Sequence, residues 1–468
     1  MYFRLKTKLF LIIFSIGCPS PSIANGDEAP LDFDIRALLP KNLMNGNPDQ
    51  LVTVQTGEGS CRKKRRKRKK RRKRKKGFFD TLSINTRYTL SPGLILYNSD
   101  GNDLTADQSI AAELTISSRL KNKKFSGDLE LQIDTEADDN SRNHIYPLNF
   151  WVGYNRSAWS VRAGSQIITW GAMDTFAPAD RVNSRDLTHS LLDTRKIGEM
   201  GISLYYYPES ASLHVMLMPF FTEPLIPGEN SRNSVVPFGF RLLNSKSVVG
   251  GQLSDNKDQL QYLVSYSKSF AFGDLQMHVL KHVDRSQPVF VPDLLNQTVN
   301  PIYFPVTQVG HNTQIPFSYF ILRMEAVTRI FETLSNPQVF GIENPEDHQI
   351  VAVGIDYAMS GFDGANANLI VEAQKLLGPR GQKKLLLSPF QNDLALIYRY
   401  AFNDLSNQSI TGGGIFDMTN GEQALTLNYE TRVFGDSKAE FSLLQFQGDA
   451  ASFPEGQQEI AAKIEFYF

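Results

Sequence analysis

The stretch Glu459-Ile-Ala-Ala-Lys-Ile-Glu-Phe-Tyr-Phe468 decides how the rest of the chain is read. Ile460, Ala462, Ile464, Phe466 and Phe468 fall on one face of an extended segment. Glu459, Ala461, Lys463, Glu465 and Tyr467 fall on the other. A period of two means a strand between two different environments. Taken alone it fits a half-buried strand of a soluble sandwich. Two details point elsewhere: the sequence closes on Phe468 with no polar tail, and aromatics gather at that end of the apolar face.

Working upstream, the same alternation recurs from Leu82 onward. Ile110, Ala112, Leu114, Ile116 and Leu120 form one apolar face, and a polar turn at 121–124 leads into Phe125, Leu129, Leu131 and Ile133. Comparable pairs flank turns at 155–157, 208–210, 270–274, 360–364, 403–407 and 435–438. Each segment is about ten residues long, enough to cross a bilayer as a tilted strand. The longer connections, at 91–108, 135–146, 168–199, 222–258, 284–305, 330–347 and 376–390, all fall at the other end of the hairpins. Short turns on one side and long loops on the other are the pattern of outer-membrane barrels. The pattern predicts a transmembrane antiparallel β-barrel of about 18 strands over 81–468, with a range of 16–20. An extra pair around Phe238 to Leu253 gives the upper limit, and merging weak segments gives the lower.

Composition agrees. The 468 residues include 31 Phe and 17 Tyr, yet no apolar run approaches the roughly 18 residues of a membrane-spanning helix. A closed barrel is the other structure that satisfies its backbone in lipid. The terminal ten residues resemble the C-terminal signal strand by which bacterial outer-membrane β-barrels are recognised for assembly. That resemblance implies Phe466 and Phe468 as an assembly signal, with the barrel-assembly machinery and outer-membrane lipid as partners.

Residues 1–24 read as a secretory signal peptide, with Arg4, Lys6 and Lys8 ahead of an apolar core from Leu9 to Gly17 and small residues at Ser22-Ile23-Ala24. Cys18 follows only a poor lipoprotein box, because Ser15 stands where leucine is expected. Residues 25–80 read as a periplasmic segment. Within it, Arg62 to Lys76 is an unbroken run of fifteen Lys and Arg, too self-repelling to fold alone. The whole chain carries 49 basic and 49 acidic residues. Without the run and the three basic residues of the leader, 31 basic residues face 49 acidic ones, a balance of −18. The run is either a solvated spacer or a docking arm for an anionic periplasmic or lipid partner. An exported chain gives no reason to expect nucleic acid.

The strands carry different chemistry on their two faces. Val351, Val353, Ile355 and Tyr357, Leu369, Val371 and Ala373, and Leu394, Leu396, Tyr398, Tyr400 and Phe402 are assigned to lipid, as are Leu425, Leu427, Tyr429 and Val433. Arg162, Arg323, Glu325, Glu372, Arg399, Glu430, Arg432, Lys463 and Glu465 fall on the opposite faces and are the candidate lining of a wet lumen. Tyr154, Trp159, Tyr206 and Phe221 near strand ends are candidates for interfacial aromatic belts.

One loop stands apart. It runs Ile168-Thr-Trp-Gly-Ala-Met-Asp-Thr-Phe-Ala-Pro-Ala-Asp-Arg-Val-Asn-Ser-Arg-Asp186 and continues through His189, Asp193, Arg195 and Lys196. It resembles a porin-like outer-membrane family whose segment reads Trp-Gly-x-x-Asp, Pro-x-Asp, then Asn-Pro-Arg-Asp. Trp170-Gly171, Asp174, Pro178, Asp180 and Asn183-Ser184-Arg185-Asp186 match, with Ser184 where the family has proline. The resemblance covers about 60 residues and implies a channel whose lumen is narrowed by the loop at 168–199. Trp170, Gly171, Asp174, Asp180, Arg181, Asn183, Arg185, Asp186, Asp193 and Arg195 are the residues expected there. The alternative is an exposed surface loop.

An enzyme is not expected. His189, Ser190 and Asp193 are neighbours in sequence, but a triad is recognised by geometry. No paired metal ligands, phosphate-cradling loop or nucleophile elbow stands out, so no metal or cofactor is assigned. After cleavage Cys61 is left without a partner for a disulfide. The leading expectation is a porin-like channel or export conduit for small polar or anionic or amphipathic solutes. Its rival is a structural or docking barrel whose basic arm recruits an envelope partner. Solute, direction of transport and oligomeric state have no signature in the sequence.

Overall fold

Alternation decides which way each strand faces. In His348–Ser360, Ile350 and Ala352 are buried, while Val353, Ile355 and Tyr357 are about half exposed on the other face. The same switch repeats along Asn366–Leu377 and Asn392–Ala401, and the outward residues form a continuous apolar band. The structure, a computed structural model, describes residues 82–448 and 457–468 apart from 99–106, 123, 190–191, 193, 230, 235, 237–238, 287, 362–363 and 385–386. The expected signal peptide 1–24, the segment 25–80 and its basic run 62–76 lie outside the described residues, as does Asp193.

Eighteen strands form one antiparallel sheet. They are β1 (Ser83–Asn98), β2 (Asp107–Lys121), β3 (Phe125–Glu136), β4 (His144–Asn155), β5 (Trp159–Gln166), β6 (Glu199–Tyr206), β7 (Ala211–Met218), β8 (Gln261–Phe270) and β9 (Gly273–Val283). The second half comprises β10 (Pro305–Phe317), β11 (Phe320–Phe331), β12 (His348–Ser360), β13 (Asn366–Leu377), β14 (Asn392–Ala401), β15 (Ser409–Asp417), β16 (Gln423–Arg432), β17 (Lys438–Gln447) and β18 (Gln458–Tyr467). Each pairs with its sequence neighbours, and β18 pairs with β1 to close the barrel. No helix among the described residues is long and apolar enough to cross a membrane. A closed antiparallel barrel with an apolar outer band is an outer-membrane architecture, because closure leaves no unpaired edge in lipid.

The opening stretch sits at the seam. Phe466 is in register with Leu90, and Phe468 and Tyr88 exchange backbone hydrogen bonds of 2.9 and 3.1 Å. The first loop had been expected over 91–108, which includes Pro92. Instead β1 runs through it to Asn98. Proline lacks a donor, and the ladder to β18 skips Ser91 and Pro92 while the ladder to β2 continues past them.

The strand count is 18, and the optional extra pair is not in the barrel. Arg241–Leu242, Lys246–Val249 and Gln252–Ser254 join Val289–Asp293 and Thr298–Tyr303 in a separate five-stranded sheet built from the long connections. Strands of that length are too short to cross a bilayer. Aromatics cluster where the short turns are: Phe125, Trp159, Tyr206, Phe270, Phe317, Phe320 and Phe402 are exposed there. Phe221 is the exception to the expected belt. It is buried, with its ring 5.0 Å from that of Tyr303.

Candidate constriction site

The connection 167–198 joins β5 to β6, and its path is set by where its backbone N–H groups can go. A segment without regular structure leaves donors that must find acceptors. Here the barrel wall supplies them. Glu325 on β11 accepts from the N–H groups of Ala172 (2.5 Å), Met173 (3.1 Å) and Ala179 (3.1 Å). Glu372 on β13 accepts from Asp174 (2.6 Å), Thr175 (2.8 Å) and Phe176 (3.0 Å). Both carboxylates are fully buried. Buried charge is costly to hold without partners, and three charge-assisted bonds to each group offset that cost. Gly171 makes the approach possible. Its φ is +121°, and a Cβ there would lie 2.9 Å from a Glu325 oxygen.

Apolar contacts hold the same segment. Met173 and Phe176 cluster with Ala352, Ala395, Ile415, Ala424 and Phe446 from β12 to β17. Ala179 packs with Val327, Ile350 and Leu376. Ile168, Trp170 and Val182 pack with Met216, Met218, Leu263 and Leu280. These wall residues occupy the inward positions of their strands, so the segment lies inside the barrel. The inner face had been expected to line a wet lumen. Under the connection it is apolar instead, since those positions meet protein rather than water. Trp170 donates its indole N–H to the Ala179 carbonyl (2.9 Å) and lies against His278.

The return of the connection is held differently. Asn183 accepts from the Ile168 N–H (2.8 Å) and donates to the carbonyls of Gln166 and Ile197, both at 2.9 Å. Ser184, in the position where the resembled family carries proline, donates its N–H to Glu199 (3.0 Å) and its hydroxyl to the Thr222 carbonyl. A proline could not make the first of these bonds. Arg185–Asp186 pairs with Arg195–Lys196 as a two-stranded sheet.

The charged residues expected at the connection find partners both within it and on the barrel wall. Asp180 lies 2.6 Å from Lys196 and 3.5 Å from Arg185. Asp186 is fully buried against Thr188, Tyr146 and His144. Arg195 reaches Glu113 at 2.7 Å. Arg181 is half-buried, and desolvation together with Arg329 and Arg185 pushes its guanidinium down to about 10, which leaves it charged at neutral pH. Asp174 also turns to the wall, 2.8 Å from Arg323 and 3.6 Å from Arg399. Arg323 also binds Asp356 at 2.9 Å.

Of the other candidate lining residues, Arg162 stacks over Trp151 and Tyr205. Lys463 sits 3.5 Å from both Glu440 and Glu465, and Glu430 pairs with Lys438 at 2.9 Å. Arg432 is exposed at the end of β16. The sequence had singled out no metal-ligand set, but the fold brings Asp134, His144, Asp186 and His189 together. They come from two strands and a distant loop, so no spacing motif connects them.

No protein-family model matches the chain, and no curated protein does. Solved structures do resemble it. Pseudomonas aeruginosa OccK9 (OpdG) is 11% identical, with 84% of this chain and 99% of that one covered at a TM-score of 0.50. The fold is that of the outer-membrane porins. Acinetobacter baumannii OccAB1 is 10% identical, covering 82% of this chain and 96% of that one at a TM-score of 0.49. A BenF-like porin from Pseudomonas fluorescens Pf-5 is 7% identical, covering 82% and 98% at 0.49. At such identities the likeness is one of fold.

Proposed function

We propose that the chain is an outer-membrane channel for small polar or amphipathic solutes, anionic ones included, narrowed by the connection 167–198. The observation that carries this is the seating of residues 172–179 on Glu325 and Glu372 of the inner wall. A loop held there occupies space that an 18-stranded barrel otherwise leaves open to water. Beside it, Asp174, Arg323, Asp356 and Arg399 place both charge signs at one point of the inner wall. Charges of both signs suit polar and charged solutes, and such side chains set selectivity in pores. In planar bilayers the purified protein is expected to give steady open steps. A permanently closed barrel would favour the docking role instead.

For the run Arg62 to Lys76 the same reading proposes a salt-sensitive tether or partial plug for the pore. Each basic residue near an anionic surface contributes on the order of 1 kcal/mol within a Debye length of about 8–10 Å. Deleting 61–77 is expected to raise open probability at low salt and change little near ~1 M, where charges are screened. Gating that is the same at every salt concentration would reduce the run to a spacer.

A further inference from the structure

We propose that Asp134, His144, Asp186 and His189 form a binding site for a divalent transition metal, with zinc the natural probe. The inference stands on geometry that the channel reading does not use. Asp134 lies on β3, His144 on β4, and Asp186 and His189 on the return of the connection 167–198. One ligating atom from each lies within 4.8 Å of the other three. His144 Nε2 is 3.3 Å from Asp186 Oδ2, and His189 Nε2 is 3.2 Å from Asp134 Oδ2 and 3.7 Å from Asp186 Oδ2. Ligands at ~2.0–2.1 Å from a tetrahedral zinc stand ~3.3 Å apart, close to these separations.

The surrounding bonds orient the ligands. Asp186 Oδ1 accepts from the Thr188 N–H (2.9 Å) and hydroxyl (2.6 Å), while Asp134 Oδ1 accepts from Gln132 (2.5 Å) and faces Arg195 at 3.5 Å. Each carboxylate therefore has one oxygen occupied and turns the other inward, as outer-shell partners do at metal sites. The two inward oxygens share the Tyr146 hydroxyl, at 3.0 Å from Asp186 and 3.3 Å from Asp134. The other neighbours of these two oxygens are the imidazole nitrogens of His144 and His189. The two carboxylates are almost wholly buried, and the two imidazoles are each less than a fifth exposed. A cation between them would neutralise the pair and tie the connection to β3 and β4. Two imidazoles and two carboxylates without sulfur suit zinc or its neighbours, and imidazole disfavours magnesium and calcium.

The test uses the untagged full chain, folded in detergent and stripped of metal, with zinc alone added at neutral pH. Calorimetry is expected to show one zinc per chain, and zinc-edge absorption a nitrogen and oxygen shell with scattering from two imidazoles. H144Q/H189Q should weaken binding more than roughly 100-fold, and Gln132→Ala about tenfold through the outer shell. A shell without imidazole, or zinc binding equal in the wild type and H144Q/H189Q, would show a hydrogen-bonded cluster only and overturn the proposal. If H144Q/H189Q does not fold, the wild-type absorption spectrum decides by itself.

Discussion

The two halves of the connection 167–198 are fastened on opposite principles. The outgoing half, 172–179, depends for its backbone donors on two wall carboxylates, each accepting three N–H groups. The return, 183–198, is fastened at many points. Asn183 bridges three backbone groups, and Lys196 donates to the Ile168 carbonyl (2.9 Å). Arg142 donates to the carbonyls of Thr188 and His189, which Asn233 also binds. Concentrated fastening lets a change at one or two residues release a whole segment. Distributed fastening makes every single loss local.

The sharpest way to break this contrast is E325Q/E372Q. Glutamine keeps the size but removes the charge and replaces an acceptor oxygen with a donor NH2. Bonds to charged groups contribute about 1.5–3 kcal/mol each, so the outgoing half should detach while the closed barrel persists. Heat-modifiable migration should be retained, protease cleavage at Phe176 should appear, and open-channel noise should rise. A protease-resistant, quiet double variant would mean that the apolar contacts of Met173 and Phe176 suffice alone.

Asn183→Ala should do less. It strands the Ile168 N–H and two carbonyls, costing roughly 1–3 kcal/mol per dry group. The neighbouring ladder between Arg185–Asp186 and Arg195–Lys196 stays intact, so the effect should be a lower thermal midpoint with conductance nearly unchanged. A jump in conductance as large as that of E325Q/E372Q would erase the distinction between the halves.

This contrast was only partly legible in the sequence. Alternation in segments such as 459–468 and 351–357 placed the barrel strands and their outward faces, since period two reports directly on lipid against interior. Glu325 and Glu372 stood out as inward charges, but their role did not, because their partners are backbone groups with no side-chain signature. The apolar inner face under the connection was written in Val351-Ala352-Val353 and Leu394-Ala395-Leu396-Ile397, where both faces are apolar. Small inward residues there make room for Met173 and Phe176. Asp134, His144, Asp186 and His189 meet only through barrel register and loop return, which local spacing does not encode.

The most direct test of the central claim, that the connection lies within the conducting path, is the single-channel conductance and ion selectivity of a chain lacking residues 172–192. Removing a segment seated on Glu325 and Glu372 should enlarge the water-filled section, so conductance should rise and selectivity weaken. Unchanged conductance together with unchanged selectivity would place the connection outside the path and contradict the account.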